Sequence, residues 1–90
     1  MSLDEQYEQM IIFEAELAVF TRNLQSELES LAQCHEQVSP HWQDAMRKNY
    51  DAIWLPFHEK MIDYLKREAP AYLKFLHSKI QHLKEYLHGR

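Results

Sequence analysis

From Leu3 to Val38 the chain contains neither glycine nor proline, and its apolar residues return at alternating steps of four and three. Leu3, Tyr7, Met10, Leu17, Leu24, Leu28, Leu31 and Val38 carry the phase, while Glu14, Thr21 and His35 fall on it as polar interruptions. Phe13, Phe20 and Cys34, with Ile12, Val19 and Ala32, widen the stripe beyond a two-position seam. A period this close to 3.6, with nothing to break it, is the mark of one long amphipathic helix with a wide apolar face. The spacing predicts that helix over residues 3–36, roughly 50 Å long at 1.5 Å per residue. No strand-like alternation, internal repeat or low-complexity tract competes with this reading.

The first boundary signal is Val38-Ser39-Pro40-His41. Serine is a favoured N-cap, and proline fits a first helical turn, where its missing N–H costs nothing. A turn over 37–40 is therefore expected, with Ser39 as N-cap of a second helix that folds back antiparallel as an αα-hairpin. In that second segment Trp42, Met46, Tyr50, Ile53, Phe57, Met61, Tyr64 and Leu65 keep helical spacing. Pro56 interrupts it and predicts a kink over 52–56, because proline removes a backbone hydrogen bond and crowds the preceding turn. Glu68-Ala69-Pro70 is a second break point. Tyr72, Leu76, Ile80, Leu83 and Leu87 resume the phase with Phe75 beside them, and Gly89 can close or fray the end. One bent helix over 40–87 and two helices meeting near 69 both satisfy the pattern.

The chain has 90 residues, enough for a single helical domain over 1–90 in which one core is marginal. Four phenylalanines, five tyrosines and two tryptophans exceed what one seam between two helices can absorb. Either the segment after Pro70 covers the surplus, or a second subunit completes a four-helix bundle, commonly by twofold symmetry. Phe13, Phe20 and Phe57 are assigned to the core by phase, and Cys34 is taken as a small buried hydrophobe. Trp42 is expected to cover the hairpin end by packing around Leu31 or Cys34. Trp54, next to Ile53, opens a different face and is a candidate partner contact.

Charge is divided unevenly. Residues 1–40 hold eight acids against Arg22 alone, and residues 41–90 hold nine bases and six acids, for a net charge of −4. Such a chain is a poor generic nucleic-acid binder, and its bases alternate with acids instead of forming a footprint. Mutual attraction between the acidic and basic segments, within or between chains, is the simpler use. One cysteine excludes an internal disulfide, and no apolar run is long enough to span a bilayer. The start lacks the basic and apolar regions of a cleavable signal peptide, so the expected location is cytoplasmic, with export by a route using no such peptide left open.

Chemistry is sparsely supported. The six histidines include no pair at i, i+4 and no His-Glu-x-x-His motif. Glu85-x-x-His88 supplies only one of the two Glu-x-x-His units that a di-iron bundle uses. Cys34, His35 and His41 cluster near the turn, but neighbours on a helix point about 100° apart, and no orienting third group or oxyanion donor accompanies them. No cofactor, metal site or catalytic residue is assigned, and a non-enzymatic helical interaction module, an adaptor or partner-binding subunit, is the expectation.

The turn Ser39-Pro40-His41-Trp42-Gln43-Asp44-Ala45, followed by Tyr50 and Trp54, resembles the small helical-hairpin proteins with a Trp-x-Gly turn, the early-secreted-antigen-like substrates of type VII secretion. Asp44 stands where that motif has glycine. Tyr64-Leu65-Lys66-Arg67-Glu68 matches the Tyr-x-x-x-Asp/Glu string of the family's export signal, although it lies inside the second helix, well before the chain end. The resemblance implies a helical hairpin over residues 3 to about 87, pairing as a homodimer or heterodimer, and export as the alternative function. Trp42, Asp44, Trp54, Tyr64 and Glu68 are the candidate partner or export surface.

Overall fold

A computed structural model describes residues 1–89. Its helices are α1 over Leu3–Val38, α2 over Asp44–Asp63 and α3 over Ala69–His88. α2 and α3 are joined without a loop through a π turn at Tyr64–Glu68, so together they form one arm. That arm runs antiparallel to α1, bringing His88 to Tyr7 at one end and Tyr50 to His35 at the other. The fold is an all-α hairpin, with no strand among the described residues. It is a rod of 65 × 20 × 16 Å whose radius of gyration is 19.7 Å, against about 12 Å for a compact chain of this length.

Each helix end has a local cause. Ser2 opens α1: its hydroxyl accepts a hydrogen bond from the Glu5 backbone N–H at 3.2 Å and donates one to the Glu5 carboxylate at 3.2 Å, a capping pair that satisfies an otherwise orphaned donor. Gly89 closes α3 in the left-handed conformation, φ 61°, with its N–H on the Glu85 carbonyl. The hairpin turn lies later than the expected 37–40. Ser39 does not begin the second helix; it ends α1, with its N–H bonded to the His35 carbonyl and its side chain buried. Pro40 then starts one 3₁₀ turn over Ser39–His41, Trp42 becomes extended, and Gln43 caps α2, which begins at Asp44. Proline suits the first turn of any helix, so its position alone does not say which helix it opens.

The seam between the arms shows why a second distortion is needed. Along the arm the inward residues are Trp54, His58, Met61 and Leu65, then Ala69, Leu73, Leu76, Ile80, Leu83 and Leu87, all buried or half-buried. The steps run four-three-four up to Leu65 and four-three-four again from Ala69, with an additional four between them. One extra residue would swing everything downstream about 100° away from α1 in a regular helix. The π turn absorbs it: the Ala69 N–H reaches back five residues to the Tyr64 carbonyl. Pro70 follows at once, and the widened turn accommodates a ring that has no N–H to give. The arm is therefore continuous but distorted at 64–68, whereas Pro56 lies inside α2 without ending it.

This phase corrects the sequence reading of the arm by one residue. Trp54, His58 and Leu73 face α1, while Ile53, Phe57 and Tyr72 face outward. Only Leu28, Ser39, Trp54, Ala69, Leu76 and Ile80 are buried among the described residues. The arms approach most closely between α1 and α3, where Ala69 is 1% exposed. Near the turn, large rings fill the space instead. Deleting Lys66 together with Pro70→Ala removes both the extra residue and the proline that the π turn accommodates. That variant should keep the parent's helical circular-dichroism signal and thermal midpoint. Deleting Lys74 from the middle of α3 should lower the midpoint sharply, because it rotates the end of the arm out of the seam.

Candidate interaction face

Ring stacking holds the turn end of the hairpin. His35 of α1 stacks on Trp54 of α2 at 4.6 Å and on Tyr50 at 5.2 Å, with interplanar angles of 13° and 14°. His58 continues the stack on Trp54 at 5.3 Å, and Trp42 meets Tyr50 edge-on at 4.1 Å. Parallel and edge-on rings at such separations add to area burial. Trp42 thus covers the hairpin end through Tyr50, while Leu31 and Cys34, its expected neighbours, are exposed. Trp54, expected on a separate partner-facing side, is 8% exposed in the seam. The polar interruptions of α1 also lie in the seam. Thr21 donates its hydroxyl to the Leu17 carbonyl at 2.8 Å, and Glu14 approaches His77 Nδ1 at 3.5 Å. The buried His35 Nδ1 has no hydrogen-bond partner among the described residues.

Two substitutions test this arrangement. Trp54→Ala should cost about 3–5 kcal/mol in denaturant unfolding, the usual range for a buried aromatic. Half-buried Trp42→Ala should cost less. His35→Phe keeps the ring and removes the unpaired nitrogen, so it should leave the thermal midpoint unchanged or raise it.

Outside the seam, the residues assigned by sequence to the core form a second row. Phe13, Phe20 and Phe57 are exposed, at 46%, 54% and 44%, and Cys34 is exposed with them. On α1 the row runs Phe13, Leu17, Phe20, Leu24, Glu27, Leu31, Cys34 and Val38, stepping four-three without a break. On the arm it runs Met46, Ile53, Phe57 and Tyr64, then Tyr72, Phe75, Lys79, His82 and Tyr86 beyond the π turn. At 100° per residue each row lies about 80–100° around its helix from the seam. Because the arms are antiparallel, both rotations lead to the same side of the rod. Phe13 and Tyr72 meet across that side, ring centroids 6.3 Å apart and edge-on. The result is one apolar, aromatic-rich face running along the rod. The signal for it was present in α1 as a second heptad sharing Leu17 and Leu24 with the first.

The opposite side is different in kind. It holds a cleft of 310 Å³ between α1 and α2, lined by Gln25, Leu28, Ala32, His58, Ile62 and Leu65 among others. Among the described residues no group of three His, Cys, Asp or Glu side chains converges as a metal site. Cys34 points outward while His35 turns into the seam, so the histidines and cysteine near the turn do not form one centre. No helix of the described residues is long and apolar enough to cross a membrane.

The five residues assigned by sequence to a partner or export surface are not brought together. Trp42 is half-buried at the turn, Asp44 is exposed in the first turn of α2, and Trp54 is in the seam. Tyr64, half-buried, and Glu68, exposed, belong to the π turn, about 30 Å along the arm from Asp44 at 1.5 Å per residue. Beside them Asp63 accepts two hydrogen bonds from Arg67, one from Nη2 at 2.9 Å. Those hydrogen bonds, with the guanidinium charge, hold the Asp63 carboxyl below its ordinary range. The pair's contribution is therefore complete above the ordinary range and is lost as pH falls through the lowered value. In a carboxyl NMR titration Asp63 should titrate low, and Arg67→Ala should return it to the ordinary value.

Comparisons with protein-family models, curated proteins and solved structures found no match. The elongated two-helix hairpin that the resemblance implied is present, and nothing ties it to the Trp-x-Gly secretion family in particular.

Proposed function

We propose that this protein is a non-enzymatic helical interaction module, an adaptor or partner-binding subunit that presents the second apolar row to another helical protein. The observation that carries this reading is the exposure of Phe20, Phe75 and Ile53, at 54%, 56% and 76%, on one side of a hairpin whose seam is already filled. Contiguous apolar patches of this kind mark protein–protein contacts. A two-helix layer matches another two-helix layer, so the complete assembly is a four-helix bundle, homodimeric or heterodimeric. The side chains that do the work are packing groups, and the reading assigns no catalytic role, no cofactor and no nucleic-acid partner.

The test is association. Phe20→Glu with Phe57→Glu places two charges on the outer face without touching the seam. This variant should keep its helical signal and lose stable co-purification with its protein partner from the native cell. Retained binding would reject the reading. Asp44→Ala with Glu68→Ala addresses the alternative, a secreted hairpin of the type VII kind, for which Trp42-Gln43-Asp44 at the hairpin end and the Tyr64–Glu68 string speak. Loss of the protein from culture supernatant in that variant, with helicity intact, would favour export; an unchanged amount would reject it.

A further inference from the structure

We infer that the occupant of the apolar face is a second copy of this chain, docked with both hairpin turns at the same end, so that α1 of each subunit lies on the α2–α3 arm of the other. The inference rests on the interaction-module reading and adds the identity and orientation of the partner.

Area supports a dimer. The chain exposes 7265 Å², whereas a compact monomer of 10.9 kDa exposes about 5,600 Å². The excess, about 1,700 Å², is more than the roughly 800 Å² per partner of a standard interface and suits the larger homodimer class. The face runs the length of the rod, so two copies can overlap fully.

Charge and register choose the orientation. Two layers related by a twofold axis within the interface have two options. With the axis across the rods, the turns lie at opposite ends and α1 packs on its own symmetry copy. That arrangement sets an acidic helix, eight acids against Arg22 in residues 1–40, against itself and brings Glu27 level with Glu14 of the partner subunit. With the axis along the rods, each acidic α1 meets the arm that carries Lys60 and Lys79. The heights then match as they do within one chain, where Phe13 meets Tyr72 and His35 meets Trp54. Leu31 falls level with Phe57 of the partner subunit, Phe13 with Phe75 of the partner subunit, and Glu27 within about a turn of Lys60 of the partner subunit. An aliphatic faces a ring, a ring faces a ring, and an acid faces a base along one continuous seam.

Cys34, exposed and the single cysteine, is a built-in probe of this geometry. Sedimentation equilibrium of the full chain at tens of micromolar should return twice 10.9 kDa, and Phe20→Glu with Phe57→Glu should return the single-chain mass with its helicity retained. A spin label on Cys34 should give a pair distance within about 30 Å, from helix spacings of 8–10 Å plus the label arms. Turns at opposite ends would separate the labels by about 40 Å or more along the rod at 1.5 Å per residue. If labelling Cys34 disturbs the dimer, Cys34→Ser with Gln33→Cys carries the label at the same height on the solvent side. A single-chain mass for the unmodified protein overturns the second-copy inference and leaves the interaction reading to its own test. A dimer with the long distance overturns the orientation.

Discussion

Two helices can cover only one side of each other, and the rest of this structure follows from that constraint. The seam is thin: six side chains are buried among the described residues, and only five of them are apolar. A 90-residue chain with so small an interior must extract most from each contact, because a small chain buries a smaller fraction of its surface while each ordered residue still costs conformational entropy. The seam therefore uses broad rings where the arms are held apart and a small residue where they close. Tyr50, His35, Trp54 and His58 stack at the turn end, and Ala69, 1% exposed, opens α3, the half of the arm that lies nearer α1. Two polar members of the seam find partners, Thr21 on its own helix and Glu14 on His77.

The π turn belongs to the same economy. A regular arm from Asp44 to His88 would carry either the α2 residues or the α3 residues out of the seam, because the inward positions slip by one between Leu65 and Ala69. Inserting the slip at 64–68 costs one turn of regular hydrogen bonding and keeps both halves facing α1. It also places the widened turn immediately before Pro70, the residue that a regular helix would accommodate least well. Both rows pass through this correction. The outward row shifts with the inward one, so Tyr64 and Tyr72 remain on the same side of the rod.

That shared side is where structure meets function. A helix with one apolar row has one neighbour; a helix with two rows about 90° apart is built for two. α1 carries both rows with Leu17 and Leu24 in common, and the arm carries both as well. One neighbour is within the chain, and the second row has none there. It includes all four phenylalanines of the sequence, which is why a partner-binding role is a more economical reading of it than a chemical one.

Helicity, the hairpin and the approximate ends of its arms were legible in the sequence. The long run without glycine or proline, the four-three spacing and the Pro40 boundary act through local backbone preferences that hold in any context. The extra residue between Leu65 and Ala69 was legible in principle, but only against a seam of known phase. What the spacing misassigned was which row faces inward, since it counted Phe13, Phe20 and Phe57 as core. Trp54 and Ile53 are adjacent apolar residues, as are Phe57 and His58 if imidazole is counted as a ring, and periodicity assigns a stripe without saying whether it meets the same chain or another. Tertiary structure decided it through fit: stacking of His35 on the rings of α2 and burial of Ala69 select one row for the seam, and Phe13, Phe20 and Phe57 are left outside. The end of α1 was decided in the same way, since Ser39 and Pro40 are compatible with closing one helix or opening the next. The docking of Trp42 on Tyr50, a contact between residues eight apart in the chain, and the Trp42 N–H bond to the Ser39 carbonyl accompany the extended backbone that separates the two helices.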